Sequence, residues 1–260
     1  MSNNCWLDAK NVTAYKQDYK VIKNLNIKLF DNERIIILGP NGSGKSSIVD
    51  LINRNIYPLV NKDSHFRIFN EELIDIWLVR KYISTVNNEI KSRINRNLKV
   101  KDILLSGLYG CFCKIDNSKK EDLTKVNELI EKMFLNDIAD KKFGYLSDGE
   151  KQISIIARAI INNPKVLILD EPSVNIDLKS KIFLINKIQN LSQLGISILC
   201  ITHDISLITK DYNRLIFLKD REIIKDGKPN DLMKSDNINQ LFDINIKLVE
   251  NSISWDVHRG

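Results

Sequence analysis

The chain has 260 residues, of which 43% are hydrophobic, so it is long enough to bury one sizeable core with a smaller inserted lobe. No apolar run reaches the roughly 18 residues that cross a bilayer, and the N-terminus lacks the pattern of a secretion signal, so we expect a soluble, intracellular protein. The net charge of +6 comes from lysines spread along the chain without a nucleic-acid-reading motif, so we expect no nucleic-acid partner.

The N-terminal part of the chain predicts β-structure. Apolar and polar residues alternate at 11–15 and 20–29, a turn follows at Asp31 and Asn32, and an apolar run occupies 34–38. These patterns indicate strands of a mixed sheet.

The last of these strands runs directly into GPNGSGKS at residues 39–46, which fits the phosphate-loop pattern GxxxxGK[ST]. Gly42 and Gly44 let backbone N–H groups approach a triphosphate, Lys45 suits its β- and γ-phosphates, and the Ser46 hydroxyl suits a magnesium ion. The predicted nucleotide-binding residues of this loop are Gly39, Pro40, Asn41, Gly42, Ser43, Gly44, Lys45, Ser46 and Ser47. An ordinary glycine–serine turn is the alternative, but the strand-to-helix context disfavours it.

Helical periodicity dominates the middle of the chain. A helix is predicted over 46–57, directly after the loop. Further helices, at 100–110, 120–134 and 149–163, form a predicted helical insertion. Cys111 and Cys113 lie between two of them and are interpreted as ordinary thiols, because the four cysteines form neither a disulfide framework nor a C-x-x-C pair.

Strand and helix then alternate again, which predicts a parallel α/β core. Strands at 165–170 and 196–202 flank a helix at 179–195. The first of these strands ends in Asp170 and Glu171, at the sheet edge where ligands bind. Asp170 suits the magnesium ion, and Glu171 suits a water that attacks the γ-phosphate. The last thirty or so residues carry weak signals, and Trp255 among them is expected to pack.

The segment between these two motifs carries a family resemblance. Residues 146–150 read LSDGE, which resembles the LSGGQ signature of ATP-binding-cassette (ABC) ATPases. Tyr15 is similar to the aromatic residue that stacks on adenine in that family. Asp177, in VNID, resembles the acidic residue of the D-loop, and His203, in ITHD, resembles the switch histidine that contacts the γ-phosphate. These motifs occur in the family's order over most of the chain.

The resemblance implies an α/β fold of the P-loop NTPase type, with a RecA-like parallel-sheet core, an antiparallel β subdomain and an inserted α-helical subdomain. The whole chain, 1–260, is then a single ABC ATPase domain. Its predicted divisions are a nucleotide-binding core at 1–88 and 164–230, a helical signature subdomain at 89–163 and a C-terminal tail at 231–260.

The resemblance also implies an ATPase that binds ATP and Mg²⁺ and dimerises with a second copy or with another ABC ATPase subunit. In such dimers each signature caps the ATP held by the partner, which assigns Ser147, Gly149 and Asp177 to the nucleotide site. The implied catalytic residues are Glu171, His203 and Lys45. The dimer is expected to drive solute transport through separate transmembrane permease subunits, from the cytoplasmic face of the membrane.

Two positions depart from the family's pattern. Asn88 stands at the place of the Q-loop glutamine, which contacts nucleotide-bound magnesium, and its side chain is one methylene shorter. Asp148 replaces the first glycine of the signature. Because a carboxylate beside a γ-phosphate would be repelled by roughly 1 kcal/mol or more, we expect the Asp148 side chain to point away to solvent.

Other interpretations stay open at this point. Ser147 and Glu150 fit a plain helix-capping box. Tyr19 is an alternative to Tyr15 as the residue that stacks on adenine. A soluble ABC-type ATPase that acts on another macromolecule is the main alternative to a transporter subunit. A nucleotide-dependent dimerisation module is a third, although it has no need of Glu171. Residues 98–112 also resemble the cassette subunits of metal, iron-chelate and molybdate-type importers.

Overall fold

The structure is a computed structural model that describes residues 4–59 and 61–245. The strands are β1 (Cys5–Lys16), β2 (Tyr19–Phe30), β3 (Arg34–Leu38), β4 (His65–Ile68), β5 (Ile83–Val86), β6 (Val166–Asp170), β7 (Ser197–Thr202), β8 (Arg214–Lys219) and β9 (Glu222–Gly227). The α-helices are α1 (Lys45–Ile52), α2 (Ile76–Tyr82), α3 (Asn88–Arg93), α4 (Val100–Leu108), α5 (Lys120–Lys132), α6 (Asp148–Ile160), α7 (Leu178–Asn190), α8 (Pro229–Leu232) and α9 (Ser235–Phe242). Short 3-10 turns lie at Phe143–Tyr145, Leu191–Leu194 and Ile205–Leu207. Trp255, which was expected to pack, lies outside the described residues.

The chain divides into two compact units. The first contains the described residues up to Arg80 and those from Ser197 onward. The second is the continuous segment Lys81–Ile196.

An antiparallel sheet of the first unit has β1 at its centre, with β2 on one side and β4 on the other. Leu7 lies opposite Leu29 on β2 and Ile68 on β4, and all three side chains are buried. The strand predicted at 11–15 is the end of this longer β1. The first half of β1 shows no regular alternation of apolar and polar residues, because register shifts interrupt the pairing of β1 with β2.

A second sheet of the first unit contains the strand that leads into the phosphate loop. β3 lies between β7 and β8 and is parallel to both, and β9 pairs antiparallel with β8. Every residue of β3 is buried, which explains its uniformly apolar sequence after Arg34. The strands β4, β5, β8 and β9 were not predicted.

Helix α1 is shorter than the sequence prediction of 46–57. Its apolar face is buried as expected, but the helix ends at Ile52. Arg54 then adopts a φ of 60°, and the amides of Asn55 and Ile56 both bond to the carbonyl oxygen of Asp50. This backbone reversal prevents another helical turn.

The second unit combines the parallel strands β5 and β6 with a group of helices. Four apolar residues of α6 that were predicted to share a face are all buried: Ile153, Ile156, Ala157 and Ile160. Helices α4 and α6 pack closely at Gly107, where an added Cβ would stand 2.6 Å from the carbonyl oxygen of Arg158. The parallel strands, antiparallel sheet and helical segment confirm the predicted α/β class.

Candidate functional site

The phosphate loop begins at a glycine that the surrounding backbone requires. The Gly39 amide donates to the carbonyl oxygen of Thr202 at 3.3 Å. A Cβ at position 39 would collide with the carbonyl oxygen of Leu218. The two strands that flank β3 therefore fix where the loop starts, and only glycine fits there.

The loop ends at a second constrained glycine. Gly44 has a φ of 100° and serves as the N-cap of α1, without a side-chain cap. A Cβ there would stand 2.8 Å from the carbonyl oxygen of Val21. Helix α1 thus starts with no capping side chain on its first N–H groups, which is the arrangement that binds phosphate at helix N-termini.

Lys45 folds back over this loop. Its ammonium donates to the carbonyl oxygens of Gly39 and Pro40, at 2.8 and 2.9 Å, and the residue is 6% exposed. The Ser43 hydroxyl is buried and has no hydrogen-bond partner among the described residues. A buried cation and a buried hydroxyl beside backbone amides suit an anionic ligand.

The remaining loop residues lie at its tip and on the first turn of α1. Asn41 and Gly42 are exposed, and Gly42 has a φ of 79° that favours glycine. Ser46 is exposed on the first helical turn, and the Ser47 amide bonds to the Gly44 carbonyl oxygen at 3.1 Å. Ser46 therefore lies at the surface where the loop meets α1.

The first unit also contains Tyr15 and His203. His203 directly follows Thr202, whose carbonyl oxygen accepts from Gly39, so it lies at the same end of the sheet as the loop. It is exposed. Tyr15 lies near the end of β1 with 42% of its surface exposed, and the Lys20 ammonium lies 5.7 Å from its ring centroid. An exposed ring is free to stack on a flat ligand.

The two adjacent carboxylates terminate β6 in the second unit. Asp170 is the last strand residue, and Glu171 starts the turn that follows, where its carbonyl oxygen accepts from the Val174 amide. Glu171 has a φ of 51°, a left-handed conformation that is uncommon for a residue other than glycine. Other non-glycine residues at turns of the described chain share this conformation, and the sequence carried no signal for it at Glu171.

Asp177 caps helix α7. Its carboxylate accepts a hydrogen bond from the Ser180 amide at 3.1 Å. This bond to Ser180 holds the pKa of Asp177 below its usual value. The conformation of Asp177 is therefore set by the start of α7.

Ser147 and Glu150 form a reciprocal capping box at the start of α6. The Ser147 hydroxyl accepts from the Glu150 amide at 3.2 Å, and the Glu150 carboxylate accepts from the Ser147 amide at 2.7 Å. Gly149 packs against α7, because a Cβ there would stand 2.6 Å from the carbonyl oxygen of Ser180. The capping interpretation is thus correct, and it leaves the function of Ser147 toward a ligand open.

Asp148 does not simply point to solvent as expected. Its carboxylate forms ion pairs with Lys91 of α3, at 2.7 Å, and with Lys151 of α6, at 3.5 Å. The hydrogen bond from Lys91 lowers the pKa of Asp148, although 43% of the side chain stays exposed. The negative charge that replaces the first signature glycine is therefore balanced within the second unit.

Asn88, at the predicted Q-loop position, is the first residue of α3 and is exposed. Its neighbour Asn87 is the N-cap of this helix, and the Asn87 side-chain oxygen is buried without a hydrogen-bond partner in the described part of the chain. The predicted site residues do not include Asn87. Two adjacent amides with different exposure therefore occupy the place where one glutamine was expected.

No group of three or more His, Cys, Asp or Glu residues suited to a metal ion occurs among residues 4–59 and 61–245. Mg²⁺ in phosphate-transfer sites is held by one or two side chains together with the phosphates, so such binding does not require a group of this kind. Within the same ranges no helix is both long and apolar enough to span a membrane.

Comparison with known proteins decides the family. The family described as "ABC transporter" matches residues 22–174, more than half of the chain. The chain belongs to the ABC transporter family. An ABC transporter ATP-binding protein of Methanosarcina acetivorans is 30% identical and covers 96% of this chain and 90% of its own. The zinc import ATP-binding protein ZnuC of Hydrogenovibrio crunogenus is 27% identical over 93% of this chain and 89% of its own.

Solved structures agree with this membership. The cassette cbiO1 of Clostridium perfringens, part of the complex cbiONQ, has a TM-score of 0.77 at 23% identity and covers 91% of this chain and 94% of its own. The ABC cassette MJ0796 was solved as a dimer in a post-hydrolysis state bound to ADP and Pi. It has a TM-score of 0.67 at 27% identity, and the match covers 85% of this chain and 98% of MJ0796. The predicted fold and the predicted role, an ATP-binding and ATP-hydrolysing subunit of an ABC transporter, are confirmed.

Proposed function

We propose that this ABC subunit hydrolyses Mg·ATP in a head-to-tail dimer and thereby drives solute uptake through separate permease subunits. The observation that carries the proposal is the phosphate loop, with Lys45 held over backbone carbonyls and α1 starting without a side-chain cap. This loop suits the β- and γ-phosphates of ATP.

Within this proposal the loop residues bind the triphosphate. Backbone amides at the loop tip and at the start of α1 surround the phosphates, and Lys45 exchanges its bonds to carbonyl oxygens for bonds to phosphate oxygens. The side chains proposed to hold Mg²⁺ are Ser46, Asp170 and Asn88. Bound Mg²⁺ neutralises charge that develops on the phosphates.

Three further residues are assigned to the attacking water, the γ-phosphate and the adenine ring of ATP. Glu171 orients and polarises the attacking water. His203 bonds to the γ-phosphate. Tyr15 stacks on adenine through its partly exposed ring.

The signature residues complete the site of the partner copy. The N-terminus of α6 is a second helix end whose dipole attracts an anion, although it is capped, and the capping box fixes the direction of the Ser147 hydroxyl. Ser147 and Gly149 then contact the γ-phosphate held by the partner, and Asp177 lies at the same dimer interface. The lysine partners of Asp148 reduce its repulsion of that phosphate.

The proposed cargo class is a metal ion or metal chelate. The resemblance of residues 98–112 to metal-type importer cassettes and the likeness to the zinc import protein both support it. With permease partners the chain works at the cytoplasmic face of the membrane, as a homodimer or beside another ABC ATPase subunit.

Replacement of Glu171 by Gln tests the hydrolytic assignment. Glu171→Gln should bind Mg·ATP, lose at least about a hundredfold in turnover and accumulate as an ATP-bound dimer, as measured by phosphate release and size-exclusion chromatography. Glu131→Gln changes an exposed glutamate on α5 and serves as the matched control. Full turnover in Glu171→Gln would rule out the assignment.

Purification from detergent-solubilised membranes tests the transport assignment. A polytopic partner that co-purifies with the full chain and raises its ATPase rate is the expected result. A partner set made only of soluble proteins would instead favour the soluble ABC-type ATPase, the alternative that the short Asn88 side chain supports.

A further inference from the structure

The segment after α4 brings two cysteine thiols into contact. The chain turns at Gly110, which has a φ of 65°, and the Cys111 amide bonds to the Ser106 carbonyl oxygen at 3.1 Å. The Cys113 thiol then donates to the Cys111 sulfur at 2.8 Å. Cys113 is exposed and Cys111 is half-buried, so small reagents reach the pair. Spacing alone indicated two ordinary thiols, whereas the turn makes them neighbours.

Arg158 of α6 keeps this turn in place. Its guanidinium donates to the Cys111 carbonyl oxygen at 2.7 Å, and the guanidinium carbon lies 4.1 Å from the Phe112 ring centroid. The same side chain reaches the Ser106 hydroxyl at 3.4 Å. A half-buried arginine from the neighbouring helix thus binds the backbone and the ring between the two thiols.

The two thiols differ in acidity. Partial burial alone would raise the pKa of Cys111, but the hydrogen bond from Cys113 and the charge of Arg158 lower it below the ordinary thiol value. The pKa of Cys113 is raised, mainly by its hydrogen bond to Cys111. Because the thiolate is the reactive form, Cys111 suits the attacking sulfur and Cys113 the sulfur that reacts second.

We propose that Cys111 and Cys113 are a thiol–disulfide exchange site, which a low-molecular-weight disulfide oxidises to an intramolecular disulfide. The Cys111 thiolate attacks the reagent disulfide and releases one reagent thiolate. Cys113, losing its proton, attacks the Cys111 sulfur and releases the second. The protein dithiol loses two electrons and two protons, and the reagent leaves as two thiols.

The geometry allows this bond. Residues two apart in a chain have Cα atoms within about 7 Å of each other, close to the separation found in disulfides. The sulfurs therefore need only a small approach. Neither sulfur is assigned to ATP hydrolysis, so the inference stands independently of the proposed function.

Oxidation of the intact protein tests the inference. The full chain is equilibrated with oxidised glutathione, unfolded, alkylated, digested and analysed by mass spectrometry. Two alkylatable thiols per chain should be lost, the fragment with both cysteines should be two hydrogens lighter, and excess reduced glutathione should restore it. Cys5 and buried Cys200 serve as internal controls that remain alkylatable.

Two variants separate the steps. Cys113→Ser should retain glutathione as a stable mixed disulfide on Cys111, and Cys111→Ser should react several-fold more slowly at Cys113. Stable glutathione on the wild-type pair without a link between positions 111 and 113, or a disulfide between two chains, would overturn the inference.

Discussion

The phosphate loop and the signature segment are both glycine-containing helix starts, but they are held in different ways. Carbonyl oxygens of Leu218 and Val21 stand against Gly39 and Gly44, so backbone contacts fix the loop. The signature has one such contact, where Gly149 lies against the Ser180 carbonyl oxygen, and is otherwise held by its own side chains, through the Ser147–Glu150 box and the lysines around Asp148. The phosphate-loop pattern is complete in this chain, whereas the signature departs from the usual letters. Side-chain interactions can be replaced by other side chains, and a backbone contact cannot.

The largest effect is expected from removing the Lys45 ammonium of the phosphate loop. Lys45→Ala should weaken ATP binding by about a hundredfold, because a buried cation no longer faces the phosphates. Isothermal titration with a non-hydrolysable ATP analogue measures this change. Lys125→Ala, which removes an exposed lysine from α5, is the control and should bind normally. Equal affinities of the two variants would show that the ammonium is not a phosphate ligand.

The next prediction concerns the backbone requirement at Gly39. Gly39→Ala should lower the free energy of unfolding by about 1–3 kcal/mol, because its Cβ would collide with the Leu218 carbonyl oxygen. Gly227→Ala is the matched control, since an added Cβ there meets only side-chain carbons of Leu232 at 3.6–3.8 Å. Urea unfolding of both variants makes the comparison. Similar midpoints would contradict a backbone-fixed loop.

A smaller effect is expected at the signature cap. Ser147→Ala should cost about 1 kcal/mol of stability through loss of the N-cap, and ATPase activity should fall as well. Ser147→Asn separates the two effects, because asparagine caps a helix equally well. If Ser147 contacts the partner's γ-phosphate, Ser147→Asn regains stability in thermal unfolding but not activity. Recovery of both would reduce Ser147 to a capping residue.

The smallest effect is expected at the ion pair of Asp148. Lys91→Ala should change stability by less than about 1 kcal/mol because the pair is partly exposed, but it should raise the pKa of Asp148. A depressed carboxyl pKa adds stability above the unfolded pKa of about 3.9, and that stability is lost as the pH falls through the folded value. NMR titration of Asp148 in Lys91→Ala, with Lys125→Ala as control, checks the shift. An unchanged Asp148 titration would show that Lys91 does not bind it.

Local patterns were sufficient for the elements that bear motifs. The strand before Gly39, the helix after it and the strand that ends at Asp170 were predicted, because their signals lie within a few consecutive residues. The strands β4, β5, β8 and β9 were missed. β8 gains stability from pairing with β3, far away along the chain, and β9 gains it from pairing with β8.

The sequence by itself determined the family, the phosphate loop and the chemical identity of the residues around it, because these depend on residue type and short spacing. Only the tertiary structure decided which glycines have no room for a side chain, where the charge of Asp148 is balanced and that Glu171 is held in a left-handed conformation. It also decided that Cys111 and Cys113 touch. Each of these facts depends on backbone direction or on a residue distant in sequence, and neither leaves a local pattern.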